Sequence, residues 1–144
     1  MDVDVIGRES LPVLYDADVV ATAFDALKTF IKPQMIVRIS NRKILSGFLA
    51  SLGLNDKSKE IFNIIDHAEK VPIGSTKSAF AEMGLSTSQV AKILDFIKIH
   101  GKREQSIPAL RALEIKNELF EQGISELDSV LELLEQQGMS EVAI

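Results

Sequence analysis

The chain has no cysteine and only two histidines. Without thiols there can be no disulfide scaffold, no thiol nucleophile and no Cys-ligated zinc, and a reducing compartment, the cytoplasm, fits best. His67 and His100 lie far apart in the chain, and two imidazoles are too few for a His-rich metal cage. No apolar run is long enough to span a bilayer, and no charged-then-apolar leader opens the sequence. The common catalytic and phosphate-binding signatures are missing too: no Walker loop, no Gly-x-Gly-x-x-Gly, no His-Glu-x-x-His. Positive charge is in short supply, with 16 Lys and Arg against 21 Asp and Glu, a net charge of −5. That balance opposes bulk electrostatic attachment to nucleic acid. What remains is a chain of 144 residues, 46% apolar and 26% charged. It can bury a real core, and it is not a disordered chain.

The negative charge is unevenly placed. Residues 1–105 carry 14 Lys and Arg against 13 Asp and Glu, whereas residues 106–144 hold only Arg111 and Lys116 against eight acids. The acids of the second part are spaced like the solvated face of a helix. The first part contains two short basic clusters, Arg38-Arg42-Lys43 and Lys98-Lys102-Arg103. Any surface that faces phosphate must be local and drawn from these.

Residues 1–7 alternate acid and valine and predict a strand closed by Gly7. Asp16 and Asp18 open a helical run that Pro33 ends, and residues 35–40 predict a second strand. Asn41 can cap a helix carrying Ile44, Leu45, Phe48, Leu49 and Leu52, and Asp56 can cap the next, with Ile61, Ile64 and Ile65 on its stripe. A short helix covers 75–83. Ser86 and Gln89 have the spacing of a capping box before a helix stopped by Gly101. Pro108 suits the first turn of a helix through Phe120, and Ser125 with Asp128 suits the start of the last one. Five of the eight glycines (Gly53, Gly84, Gly101, Gly123 and Gly138) then stand at helix ends. Residues 140–144 look like the start of another strand, so the chain reads as a piece of a larger protein.

Among candidate site residues, Asp2 and Asp4 share one face of the first predicted strand. They fit a solvated edge, a polar site that accepts from a cationic or imidazole-bearing ligand, or, weakly, an Asp-x-Asp metal site. His67 reads as a helix-surface residue and His100 as a cation at a helix end. Arg42 and Lys43 sit at a helix N-terminus, where cations are locally unfavourable. They call for an anionic partner, which is either an acid elsewhere in the fold or a phosphate.

Asp2-Val-Asp-Val-Ile-Gly7, the acid-opened helix at Asp16-Ala-Asp18 and Val37-Arg-Ile-Ser-Asn-Arg-Lys-Ile-Leu45 together resemble the histidyl-tRNA synthetase family just after class II motif 2. Gly84-Leu-Ser86 and Ile99-His-Gly101, ahead of an acidic helix pair, resemble that family's helical insertion domain in layout. The resemblance implies an α+β, mostly α fold: a short strand–helix–strand piece of a class II antiparallel sheet, then a bundle of about five or six helices. It implies a partial catalytic-core segment at 1–53, the insertion domain at 54–139 and the start of a return strand at 140–144.

It also implies functions residue by residue. Asp4 matches the carboxylate that contacts the imidazole of substrate histidine, although Glu is common there. Lys98, Lys102 and Arg103 are the candidates for contact with the acceptor stem of tRNA(His), over which the insertion domain sits. The parent enzyme would join histidine to tRNA using ATP and Mg2+, as a cytoplasmic homodimer with no membrane attachment. The arginines that hold ATP, the histidine-specific loop and the anticodon-binding domain are implied to lie outside these residues, so the segment alone should be inactive and hold no cofactor. Other readings are a segment of a non-catalytic, synthetase-like regulatory subunit, or a helical protein-interaction module.

Overall fold

Asn41 performs the capping expected of it: its Oδ1 accepts from the Lys43 amide at 2.9 Å and starts helix α2, Arg42–Ser51. The surrounding architecture comes from a computed structural model that describes residues 4–8, 11–28, 30–31, 35–68, 71–139 and 142–144. Before α2 come α1 (Leu14–Lys28) and strand β1 (Val37–Arg38). After it come a 3₁₀ turn at Asn55–Lys57, then α3 (Ser58–Ala68), α4 (Ile73–Glu82), α5 (Thr87–Phe96), α6 (Arg103–Arg111), α7 (Glu118–Gln136) and strand β2 (Val142–Ala143). The fold is mostly helical with a small sheet, as the resemblance implied. The Ser86–Gln89 capping box is complete in both directions, at 3.2 Å from the Gln89 amide to Ser86 Oγ and 2.9 Å from the Ser86 amide to Gln89 Oε1.

Three sequence expectations need correction. Asp56 does not cap α3; it lies inside the 3₁₀ turn that leads into it. Pro108 is not at a helix start but inside α6, and the chain breaks after Arg111, where Glu114 takes a positive φ of 51°. The predicted boundary at Gly123–Ser125 does not exist. Asn117 caps α7, its Oδ1 accepting from the Phe120 amide at 3.1 Å, and the helix runs through Gly123 without a break.

Gly123 is there for packing. A Cβ on it would lie 2.8 Å from both the backbone N and Cγ1 of Ile44, and one on Gly47 would lie 2.6 Å from the backbone N of Phe120. Each of α2 and α7 presents a glycine to the other, which lets their backbones approach closely. Gly53, Gly84, Gly101 and Gly138 do end helices or turns with positive φ.

The core follows from this crossing. Phe80, Phe120, Leu49, Ile61, Ile93, Ile124 and Leu134 are its largest fully buried side chains. Helix α7 buries one continuous stripe, Phe120, Ile124, Leu127, Val130, Leu131 and Leu134. It packs on α1 and α2 as well as on α6, so it unites residues before and after position 53.

The strands also differ from expectation. Residues 4–8 form no strand, and 1–3 lie outside the described residues. β1 and β2 pair in parallel, Val37 beside Val142, where antiparallel pieces were expected. The last residues are held on both sides. Ile39 N–H donates to the Ala143 carbonyl at 2.9 Å, and Gly101 and Ile144 exchange backbone bonds at 3.3 and 2.9 Å. Gly101 reaches this geometry at φ +132°, a conformation that suits glycine.

Candidate functional site

Asp4 lies in irregular chain and is exposed; its strand mate Asp2 falls outside the described residues. The basic trio divides by environment. Lys98 reaches Asp95 at 2.8 Å on the open surface. Lys102 is the exposed N-cap residue of α6 and has no carboxylate partner among the described residues. Arg103, one position on, is turned to α7: its Nε is 2.7 Å from Asp128 and its terminal nitrogens reach Glu135 at 3.1 Å and Glu132 at 3.6 Å. Arg111 shares Asp128 at 3.1 Å. The hydrogen bond that Arg103 donates to Asp128 raises the guanidinium's pKa, so Arg103 stays charged and ties α6 to the acidic face of α7.

The segment 38–43 shows the same division. Lys43 Nζ lies 2.5 Å from Glu126 Oε1 and Asn41 Nδ2 donates to Glu126 Oε2 at 2.9 Å. The anionic partner that the α2 N-terminus called for is thus, for Lys43, an acid of the fold. The bond from Lys43, then that from Asn41, hold the Glu126 carboxyl below the usual carboxylate range. Asn41 caps α2 with its oxygen and grips α7 with its nitrogen. In the run Asn41-Arg-Lys-Ile-Leu45, Asn41, Lys43 and Ile44 are therefore all committed to the α2–α7 crossing.

Arg42 points the other way. Its guanidinium lies over the Phe62 ring, 5.5 Å from the centroid. With Arg38, Asp66 and His100 it lines a cleft of about 450 Å³ whose apolar wall includes Phe62 and Phe96. Phe96 is itself stacked on Phe48, centroids 4.2 Å apart. The sequence reading missed His100 and Asp66 as members of one cleft, because only the pairing of Ile144 with Gly101 brings the 99–101 turn beside β1. His67 is a surface residue as expected, its Nδ1 2.8 Å from the Asn63 carbonyl.

No family model matches the chain. Individual proteins do. The chain is 33% identical over 130 residues to histidine–tRNA ligase of Clostridium tetani, covering 90% of this chain and 29% of that protein. It is 35% identical over 144 residues to the ligase of Nostoc punctiforme, covering 97% of this chain and 31% of the other. The crystal structure of histidyl-tRNA synthetase from Nostoc sp. PCC 7120 superposes with a TM-score of 0.82 at 32% identity, covering 94% of this chain and 32% of that one. The chain thus spans about a third of the length of the relatives it matches. Sequence and fold agree over nearly all of it, and over that third the chain belongs to the histidyl-tRNA synthetase family.

Proposed function

We propose that these residues work as one segment of a histidine–tRNA ligase, which activates histidine with ATP and passes it to tRNA(His). The match to two ligases over 90% and 97% of the chain, at a third of their length, carries this reading. Asp4 is the substrate-facing group: a carboxylate accepts from an imidazole ring N–H and fixes its tautomer. Its exposure here fits a pocket whose other walls come from the rest of the ligase. Residues 54–139 act as the insertion domain over the acceptor stem, with the catalytic core at 1–53 and again from 140.

Lys98, Lys102 and Arg103 are the proposed phosphate contacts. Arg103 is already engaged with three acids, so Lys98 and Lys102 carry more of the contact. ATP and Mg2+ belong to the whole enzyme, a cytoplasmic homodimer, and no residue here is assigned to them.

Two measurements test the reading. The 144-residue chain alone should give no histidine-dependent ATP–pyrophosphate exchange; exchange above background overturns the segment reading. In the full-length ligase, changing Lys98 and Lys102 to Ala should weaken acceptor-stem binding at low salt more than Arg103→Ala does. Unchanged affinity in all three variants removes the proposed contact.

A further inference from the structure

Lys98 and Lys102 stand on the connection between α5, which ends at Phe96, and α6, which begins at Arg103. Both are exposed, so their placement depends on what holds this connection. Ile97 and Ile99 pack partly against the core. Arg103 grips Asp128 and Glu135 of α7 at 2.7 and 3.1 Å. Gly101 reaches a strand instead. Its N–H donates to the main-chain oxygen of Ile144 at 3.3 Å, and the Ile144 N–H donates back to the Gly101 carbonyl at 2.9 Å. Two residues that exchange both bonds form the hydrogen-bonded pair of an antiparallel ribbon. The other edge of the same strand faces β1, where Ala143 accepts from Ile39 and Val142 pairs with Val37. The α5–α6 connection is thus tied by one rung to the β1–β2 pair.

The rung needs glycine. At φ +132° an L side chain is strained, and a Cβ would meet Gln105 Oε1 at 2.7 Å. The exposed Gln105 amide can swing away, but the backbone strain stays. Another residue at 101 therefore draws the backbone toward an ordinary φ and opens the rung. The buried side chains of the flanking helices, Ile93, Leu94, Ile107 and Leu110, take no part in that pairing. The lysines feel its loss, Lys98 from three residues before Gly101 and Lys102 from the next position. Placement matters to them because a charge-assisted bond to phosphate is short, about 2.7–2.9 Å. We propose that Gly101 is a positioning residue, whose two-bond pairing with Ile144 sets Lys98 and Lys102 against strands β1 and β2 for contact with RNA phosphate. The inference rests on the phosphate contact proposed above and adds a dependence on β2. The cations are registered on strands assigned to the catalytic core, not on the helical bundle alone.

Kinetics of the full-length ligase test this. Gly101→Ala should raise KM for tRNA(His) by about tenfold. Histidine-dependent ATP–pyrophosphate exchange, which needs no tRNA, should stay within about twofold of the parent. Ile144→Pro removes the N–H on the other side of the rung and should give the same split. A merely structural role would instead lower exchange and charging together, along with the melting temperature. In a background of Lys98→Ala with Lys102→Ala, Gly101→Ala should raise KM no further, because residues that act through one contact are not additive. Exchange and charging lost in proportion, parental KM in both rung variants, or full additivity with the lysine pair overturns the proposal. The two failures differ. Parental acceptor-stem affinity in the lysine pair removes the phosphate contact itself, whereas weakened affinity there with a parental KM in Gly101→Ala removes only the positioning role.

Discussion

Residues 42–139 and residues 4–36 bury their apolar side chains to very different extents. In the first, Phe48, Phe80, Phe120, Leu49, Ile93 and Leu134 are almost wholly enclosed. In the second, among the described residues, only Ala17 and Phe24 of α1 are buried, while Ile6 is 95% exposed, Phe30 80% and Ile36 68%. Both regions have the composition of a core; only one has partners for it. The helical region closes on itself because α7 offers one long apolar stripe and a glycine to α2. Among the described residues of 4–36, α1 packs on α7, Val13, Val20, Ala21 and Met35 lie partly against the core, and Ile6, Phe30 and Ile36 face solvent. The relatives carry about two thirds of their length outside the matched region.

The largest effect should separate the two regions directly. Phe120→Ala removes a side chain with no exposure and should cost about 3–5 kcal/mol, whereas Phe30→Ala should stay within about 0.5 kcal/mol. Urea unfolding of both variants measures the difference. Next comes the crossing itself. Gly47→Ala and Gly123→Ala each push a methyl against backbone of the facing helix and should cost about 1–3 kcal/mol. Gly74→Ala, in α4 with open space around its Cβ position, should be neutral or stabilising by up to about 1 kcal/mol. A Gly123→Ala variant as stable as the parent would mean that the helices do not meet as closely as described.

A smaller effect belongs to the polar clasp. Asn41→Ala loses the α2 cap and the bond to Glu126 together, and thermal melts should show a loss of about 1–2 kcal/mol. The smallest is pH-dependent. The Glu126 carboxyl titrates below its ordinary range when folded, so its contribution is complete above that range and is lost as pH falls through the folded value. Glu126→Gln should be less stable than the parent at neutral pH, and the gap should close as pH falls below the ordinary carboxylate range. A gap that widens in acid would contradict the Lys43–Glu126 pairing.

Local chemistry made much of this legible. Asn41 and the Ser86–Gln89 pair act within a few residues of themselves, so their spacing alone identifies them. Gly123 was misread for the opposite reason: a glycine that ends a helix and one that admits a neighbouring helix look alike until the neighbour, Ile44, is known. The true break, after Arg111, rests on a Glu114 backbone conformation that no residue type advertises. The same limit applied to the sites. Arg38, Arg42 and Lys43 were recognisable as a basic cluster, but their division between Glu126 and the Phe62 cleft depends on residues of α7 and α3 that are distant in sequence. Residues 142–144 looked unpaired only because their partners, Val37 and Gly101, are distant in the chain.

Native-state hydrogen exchange of the 144-residue chain tests the contrast between the two regions most directly. The slowest amides should lie in α2 and α7, opening only with global unfolding, while α1 amides exchange through a cheaper opening that leaves the α2–α7 crossing intact. Amides of α1 protected to the same free energy as those of α7 would contradict the account, because α1 would then be held as firmly as the α2–α7 crossing despite adding only Ala17 and Phe24 to the fully buried core among the described residues.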